Sequence, residues 1–301
     1  MQKVWVLEVC LFTMIAVGFL LGKKKILGQN AERMLTDLVI LVVLPCNILT
    51  SFTGQKGEGL TGDLLGIFVV SIALQTFSVL YGKWRYRKEP LDRQMNLRYA
   101  TLASNAGFLG NPVAEGVFGP VGLMLASVYL IPQRIMMWSE GIAIYSGTSD
   151  RKATIKKVVT HPCVIACVLG LILMMSGVEL PEVVLTPIQT IGRCNTALSM
   201  MVIGMILSKM DLRRMWDTSI VLYTLERLLL IPLLVFLFCR LLFLSDLVTG
   251  VSTLLAAMPA AATTSMLANK YDRNPAFATQ TVIFSTLCSM PAIALWSTIL
   301  T

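Results

Sequence analysis

The chain has 301 residues, of which 55% are hydrophobic and only 14% charged, and its mean hydropathy is +0.74. A soluble domain carries about a quarter charged residues, so a water-soluble fold is excluded and a bilayer is the solvent that suits this surface. The formal net charge of +8 does not describe a nucleic-acid surface: the basic residues stand in short clusters between apolar runs, the pattern that orients membrane proteins.

The apolar runs predict an all-α polytopic membrane protein with ten transmembrane helices, at about 4–21, 33–53, 62–83, 96–117, 121–146, 161–177, 187–208, 216–243, 248–269 and 277–300. The first is followed by Gly22-Lys23-Lys24-Lys25 rather than a small-residue cleavage site, so it is expected to be retained as a helix. Lys and Arg gather in every second connection. Lys23, Lys24, Lys25 and Arg33 follow the first helix, and Lys83, Arg85, Arg87, Lys88, Arg93 and Arg98 the third. Arg151, Lys152, Lys156 and Lys157 follow the fifth, Lys209, Arg213 and Arg214 the seventh, and Lys270 and Arg273 the ninth. The intervening connections hold only Lys56 and Arg240. This asymmetry predicts a multi-pass protein of the cytoplasmic membrane with both termini outside. The seven cysteines lie in or beside apolar segments without a CxxC and read as small hydrophobes, so neither cofactor nor metal is expected.

The basic loop 148–160 divides the chain into a first five-helix repeat, 1–147, and a second, 161–301. An odd number of crossings per half inverts one half against the other, as in inverted-repeat transporters. The fourth span of each half is interrupted: Ser104-Asn105-Ala106-Gly107-Phe108-Leu109-Gly110-Asn111-Pro112 in one, and Met258-Pro259-Ala260-Ala261-Ala262-Thr263-Thr264-Ser265 in the other. Gly costs a helix about 1 kcal/mol and Pro about 3. An opened turn frees backbone groups that lipid cannot satisfy, so they face protein or a hydrated cavity. The half-helix after the break presents N–H groups and a positive dipole end, which suit an anion. Asn105 and Asn111 can meet a carboxylate without a fixed charge.

These residues resemble the auxin efflux carrier family, which includes bacterial permeases and the plant PIN-formed transporters. The stretch at 104–112 is similar to the family's Asn-Thr-Gly-x-x-Gly-x-Pro motif, and Met258-Pro259-Ala260 with Ala268-Asn269-Lys270-Tyr271 to its ninth-span motif. Leu44-Pro45 and His161-Pro162 resemble the motifs of the second and sixth spans. The resemblance implies ten helices in inverted repeats, a scaffold and a moving domain, elevator-like alternating access, often a homodimer, and a carboxylate held where spans four and nine cross. By position, Asn105 matches the amide that meets the carboxylate and Pro259 the ninth-span crossover proline. Plant members carry Pro before that Asn; here it is Ser104, which loosens the inferred crossover geometry in helix 4.

Ionisable residues inside spans are functional candidates by default. Arg134, near mid-depth of the fifth helix, departs from the family pattern and could clamp a carboxylate. Glu226 and Arg227 are neighbours whose side chains point apart, so each needs its own partner. The expected site is Asn105, Gly107, Gly110, Asn111, Pro112, Pro259, Ala260, Thr263 and Arg134, acting on a small organic anion. Coupling to protons, or no coupling, is favoured over Na⁺, because no acidic residue flanks the second break. A sodium-coupled symporter and a non-transporting sensor on the same fold are the alternatives. HExxH, GxSxG and paired-Asp motifs are absent from the sequence, so no enzyme is expected.

Overall fold

A computed structural model of the protein describes residues 2–26, 30–53, 60–146, 151–208 and 217–300. Lys56, the residues 147–150 of the linker, and the cluster Lys209, Arg213 and Arg214 lie outside the described residues. Among the described residues every extended element is a helix, and the only β-type pairing is one isolated bridge. Six segments are long and apolar enough to cross a membrane: Ala31–Phe52, Leu60–Arg85, Ala106–Ser146, Glu182–Leu207, Thr218–Leu241 and Pro275–Leu300. Val9–Lys23, Pro162–Ser176 and Asp246–Ala256 are shorter apolar helices.

In chain order, α1 is Gln2–Lys23, α2 Ala31–Leu38, α3 Leu44–Phe52, α4 Leu60–Arg85, α5 Leu91–Leu102, α6 Asn111–Trp138, α7 Glu140–Ser146 and α8 Arg151–Val159. Then come α9 Pro162–Ser176, α10 Glu182–Gly192, α11 Asn195–Ser208, α12 Thr218–Leu225, α13 Ile231–Leu241, α14 Asp246–Ala256, α15 Thr263–Lys270 and α16 Pro275–Leu300. Three widened π turns, Val39–Val43, Ala106–Gly110 and Glu226–Leu230, have a common cause. Each is followed two residues later by a proline, Pro45, Pro112 or Pro232. A proline ring collides with the carbonyl four residues back, and a local π turn opens the ladder there while the helix continues. Gly119 folds α6 back on itself with φ 70 and ψ −163, a left-handed conformation natural to glycine.

Two details differ from the sequence reading. The span expected from 187 begins at Glu182, and the linker expected as loop contains α8, whose Lys and Arg are good helix formers outside the apolar pattern.

The helices assemble in two groups. In the first, α1 packs along α11, while α3 packs on α9 and α10. The α1–α11 contact is unusually close: an added Cβ on Gly18 would overlap the Met201 carbonyl, and one on Gly204 the Ile15 carbonyl. Gly22 faces Ser208 one turn further on, so small residues at i, i+4 on both helices let the backbones touch. The second group contains α4–α7 and α12–α16. Its basic ends are laced by ion pairs within the group: Arg85–Glu226 at 2.6 Å, Arg93–Asp217 at 3.0 Å, Lys83–Glu140 at 3.4 Å and Arg273–Asp92 at 3.4 Å. The groups meet chiefly where α6 lies against α3 and α9.

Candidate functional site

The two interruptions touch. The chain leaves helical geometry at residues 103–105 and again at residues 257–262. There Ser104 and Ala260 form an antiparallel bridge: the Asn105 N–H donates to the Pro259 carbonyl at 2.8 Å, and the Ala261 N–H donates to the Ala103 carbonyl at 3.0 Å. Backbone groups freed by one break are thus satisfied by the other, the solution the apolar medium demands. The first break is narrower than the composition suggested, because Ala106–Gly110 resumes as a π turn and Asn111-Pro112 opens α6 without a gap.

Side chains fasten the crossing from three sides. Gln133 of α6 donates from Nε2 to the Ser104 carbonyl at 2.7 Å and accepts from Ser104 Oγ at 3.2 Å. Ser285 of α16 accepts from the Ala260 N–H at 3.2 Å. Arg227, 2% exposed, donates from Nε to the Met258 carbonyl at 2.9 Å and from Nη1 to the Thr101 carbonyl at 3.1 Å. The Thr101 carbonyl lies in the last turn of α5 and the Met258 carbonyl in the break just after α14, so the guanidinium sits on the negative end of one helix dipole and on a carbonyl the break leaves free. Its sequence neighbour Glu226 points away and accepts from Arg85 and, at 3.0 Å, from the Tyr86 hydroxyl.

The expected site residues fall into distinct places. Asn105 and Gly107 are half-buried at the break. Arg134 reaches Gly107: its Nη2 lies 3.7 Å from where a Cβ on Gly107 would stand. Arg134 is 7% exposed, and its Nη1 has no hydrogen-bond partner. Its charge also reaches the start of α9 at His161. Asn111 is fully buried and neither of its amide atoms is paired. Pro259 and Ala260 are buried in the bridge itself. Thr263 accepts from the Tyr99 hydroxyl at 3.1 Å and sits beside Met137, on the α5–α7 side of the crossing. Gly110 and Pro112 belong to packing: a Cβ on Gly110 would lie 2.7 Å from Leu255 Cδ2 of α14, and Pro112 is buried at the start of α6.

A family model described as "Membrane transport protein" matches residues 5–155 and 149–297, nearly the whole chain. The chain belongs to the auxin efflux carrier family. An uncharacterized transporter of Methanothermobacter thermautotrophicus is 28% identical over 290 residues, covering 95% of each chain. One of Methanocaldococcus jannaschii is 24% identical over 302 residues, covering 95% of this chain and 96% of its own. The uncharacterized transporter YfdV of Escherichia coli K12 is 22% identical over 300 residues, covering 95% and 94%. End-to-end similarity to proteins described as transporters, with several apolar spans, makes this auxin efflux carrier family member a multi-pass membrane transport protein.

Sequence reasoning missed Gln133 and Ser285, which hold the crossing of this auxin efflux carrier relative. For Gln133 there was one signal: a primary amide adjacent to Arg134 in a span already singled out. Ser285 gave none, being one of many small polar residues in an apolar helix.

Proposed function

We propose that the protein is a secondary transporter that moves a small organic anion, a carboxylate, across the cytoplasmic membrane by elevator-like alternating access. The observation that carries this reading is the meeting of the two broken helices at Ser104 and Ala260, with the unpaired Arg134 guanidinium beside Gly107. A buried cation next to unwound backbone and a half-exposed Asn105 amide is a ready carboxylate clamp.

The ten-crossing arrangement is part of the proposal. Divided at Gly119 and joined to α5, the segment Ala106–Ser146 supplies two crossings, and α1, α9 and the α14–α15 pair supply three beside the five other long apolar segments. Five crossings in each half make the halves inverted repeats with both termini outside. The first helix group, locked by its glycine seam, serves as scaffold. The second, laced by ion pairs and carrying the crossing, moves against it, and a homodimer joined through scaffolds is the expected assembly. Proton coupling, or no ion coupling at all, is favoured over Na⁺.

The test is electrogenic transport by purified protein in liposomes on a solid-supported membrane. Malate, malonate, lactate, short fatty acids and indole-3-acetate are each applied with a pH step and with a Na⁺ step. A current for one acid that follows pH supports the reading and names the substrate. A current that requires Na⁺ assigns sodium coupling instead. Failure of every acid both to give a current and to shift thermal unfolding overturns the organic-anion assignment.

A further inference from the structure

Among the described residues two arginines are buried, and one of them is compensated. Arg227 donates to the Thr101 carbonyl in the last turn of α5, a negative dipole end, and to the Met258 carbonyl freed by the second break, so two carbonyls without helical partners face its guanidinium. Arg134 has no such arrangement. Its Nη1 is buried without a partner, and no carboxylate pairs with it among the described residues. What its charge meets on α9 is His161, Cys163 and Cys167, none of them a carboxylate. Arg134 belongs to α6, in the group that carries the crossing, while α9 belongs to the other group. A movement of one group past the other therefore carries this guanidinium along the boundary between them.

We propose that Arg134 makes this carrier an obligate anion exchanger. The inference rests on the organic-anion reading above and adds its stoichiometry. With the site empty, the moving group takes an unbalanced cation through a low-dielectric boundary, and that step is slow. With an anion bound, the same step moves a neutral pair. The anion binds the conformation in which the guanidinium crosses the boundary more tightly than the resting conformations, and differential affinity between conformations is what shifts such an equilibrium. One anion enters for each that leaves, and the empty carrier waits on the side where it released its load.

The experiment uses the full-length protein in liposomes with the membrane potential clamped. Malate, malonate, lactate, short fatty acids and indole-3-acetate are the probes, screened first by thermal shift of the wild type. Radiolabelled uptake of each acid that binds is then compared in vesicles preloaded with that acid and in acid-free vesicles. Preloaded vesicles are expected to fill faster by about tenfold or more. In Arg134→Gln, the two rates are expected to converge, while Arg134→Lys, which keeps the charge, retains a preference for preloaded vesicles. Equal wild-type rates overturn exchange and leave the carboxylate reading standing. An unchanged preference in a folded Arg134→Gln overturns the role of Arg134. If no probe shifts the wild type, the organic-anion reading falls and exchange falls with it. The wild-type ratio decides even where the Gln variant does not fold.

Discussion

Arg227 shows how a membrane protein can hold a buried charge without a counter-ion. Its two acceptors are carbonyls left over at helix ends, so removing the guanidinium orphans both at once. Arg227→Met is expected to lower stability by about 3 kcal/mol or more, since a hydrogen bond to a charged group contributes about 1.5–3 kcal/mol; thermal unfolding in detergent measures it. Asn105 stands at the opposite extreme, half-buried with its amide free for a ligand. Asn105→Ala is expected to weaken anion binding about tenfold or more while leaving the unfolding temperature within a few degrees. A titration of affinity that returned the wild-type value would move the site away from the break. His161 Nδ1 caps α9 by accepting from the Cys163 N–H.

Among the elements, the α1–α11 seam makes the sharpest demand on side-chain size. Gly204→Leu forces a side chain into the Ile15 backbone carbonyl, a contact that cannot give as a flexible side chain does. A loss of about 3 kcal/mol or more is expected from such overpacking, seen as lower folded yield and melting temperature. Gly62→Ala is the control, because nothing lies within 4 Å of its Cβ position and α4 gains a better helix former there. The elements were legible to different degrees. Long apolar runs such as Leu60–Arg85 could be read because hydropathy and helix formation are the same requirement in lipid. The existence of both breaks could also be read, from Gly and Pro at 104–112 and 258–265. Their width could not. Pro112 is tolerated at the start of a helix, so it ends the interruption where it had been taken to prolong it. The helix α8 was hidden because its pattern is polar and basic rather than apolar.

At the scale of the whole molecule, what the sequence withheld was pairing. It offered Arg227 and Pro259 as separate candidates; only the assembled bundle places the Met258 carbonyl between them and shows that Gly110 is pressed on Leu255 rather than turned to a ligand. The proposed orientation rests on the charge of the loops. With native cysteines replaced, Val178→Cys in the turn after α9 is expected to react with an impermeant maleimide added outside intact cells. Lys88→Cys in the turn after α4 is expected to react only after permeabilisation. The reverse pattern would invert the topology. The crossing also has a consequence for how the chain is made. The half-helix α5 is polar and lacks the composition to rest in lipid alone. Its Ala100 and Thr101 carbonyls wait for Tyr223 and Arg227, 123 and 126 residues further along, and Asn96 waits for the carbonyls of Arg273 and Asn274, 177 and 178 residues away. During synthesis, then, the first half emerges with its central segment unmatched, and that segment settles only after about 600 Å more of extended polypeptide has been made and the turn between α15 and α16 arrives. A translation product truncated after residue 147 is for that reason expected to be cleared by membrane proteases rather than to persist as a stable half.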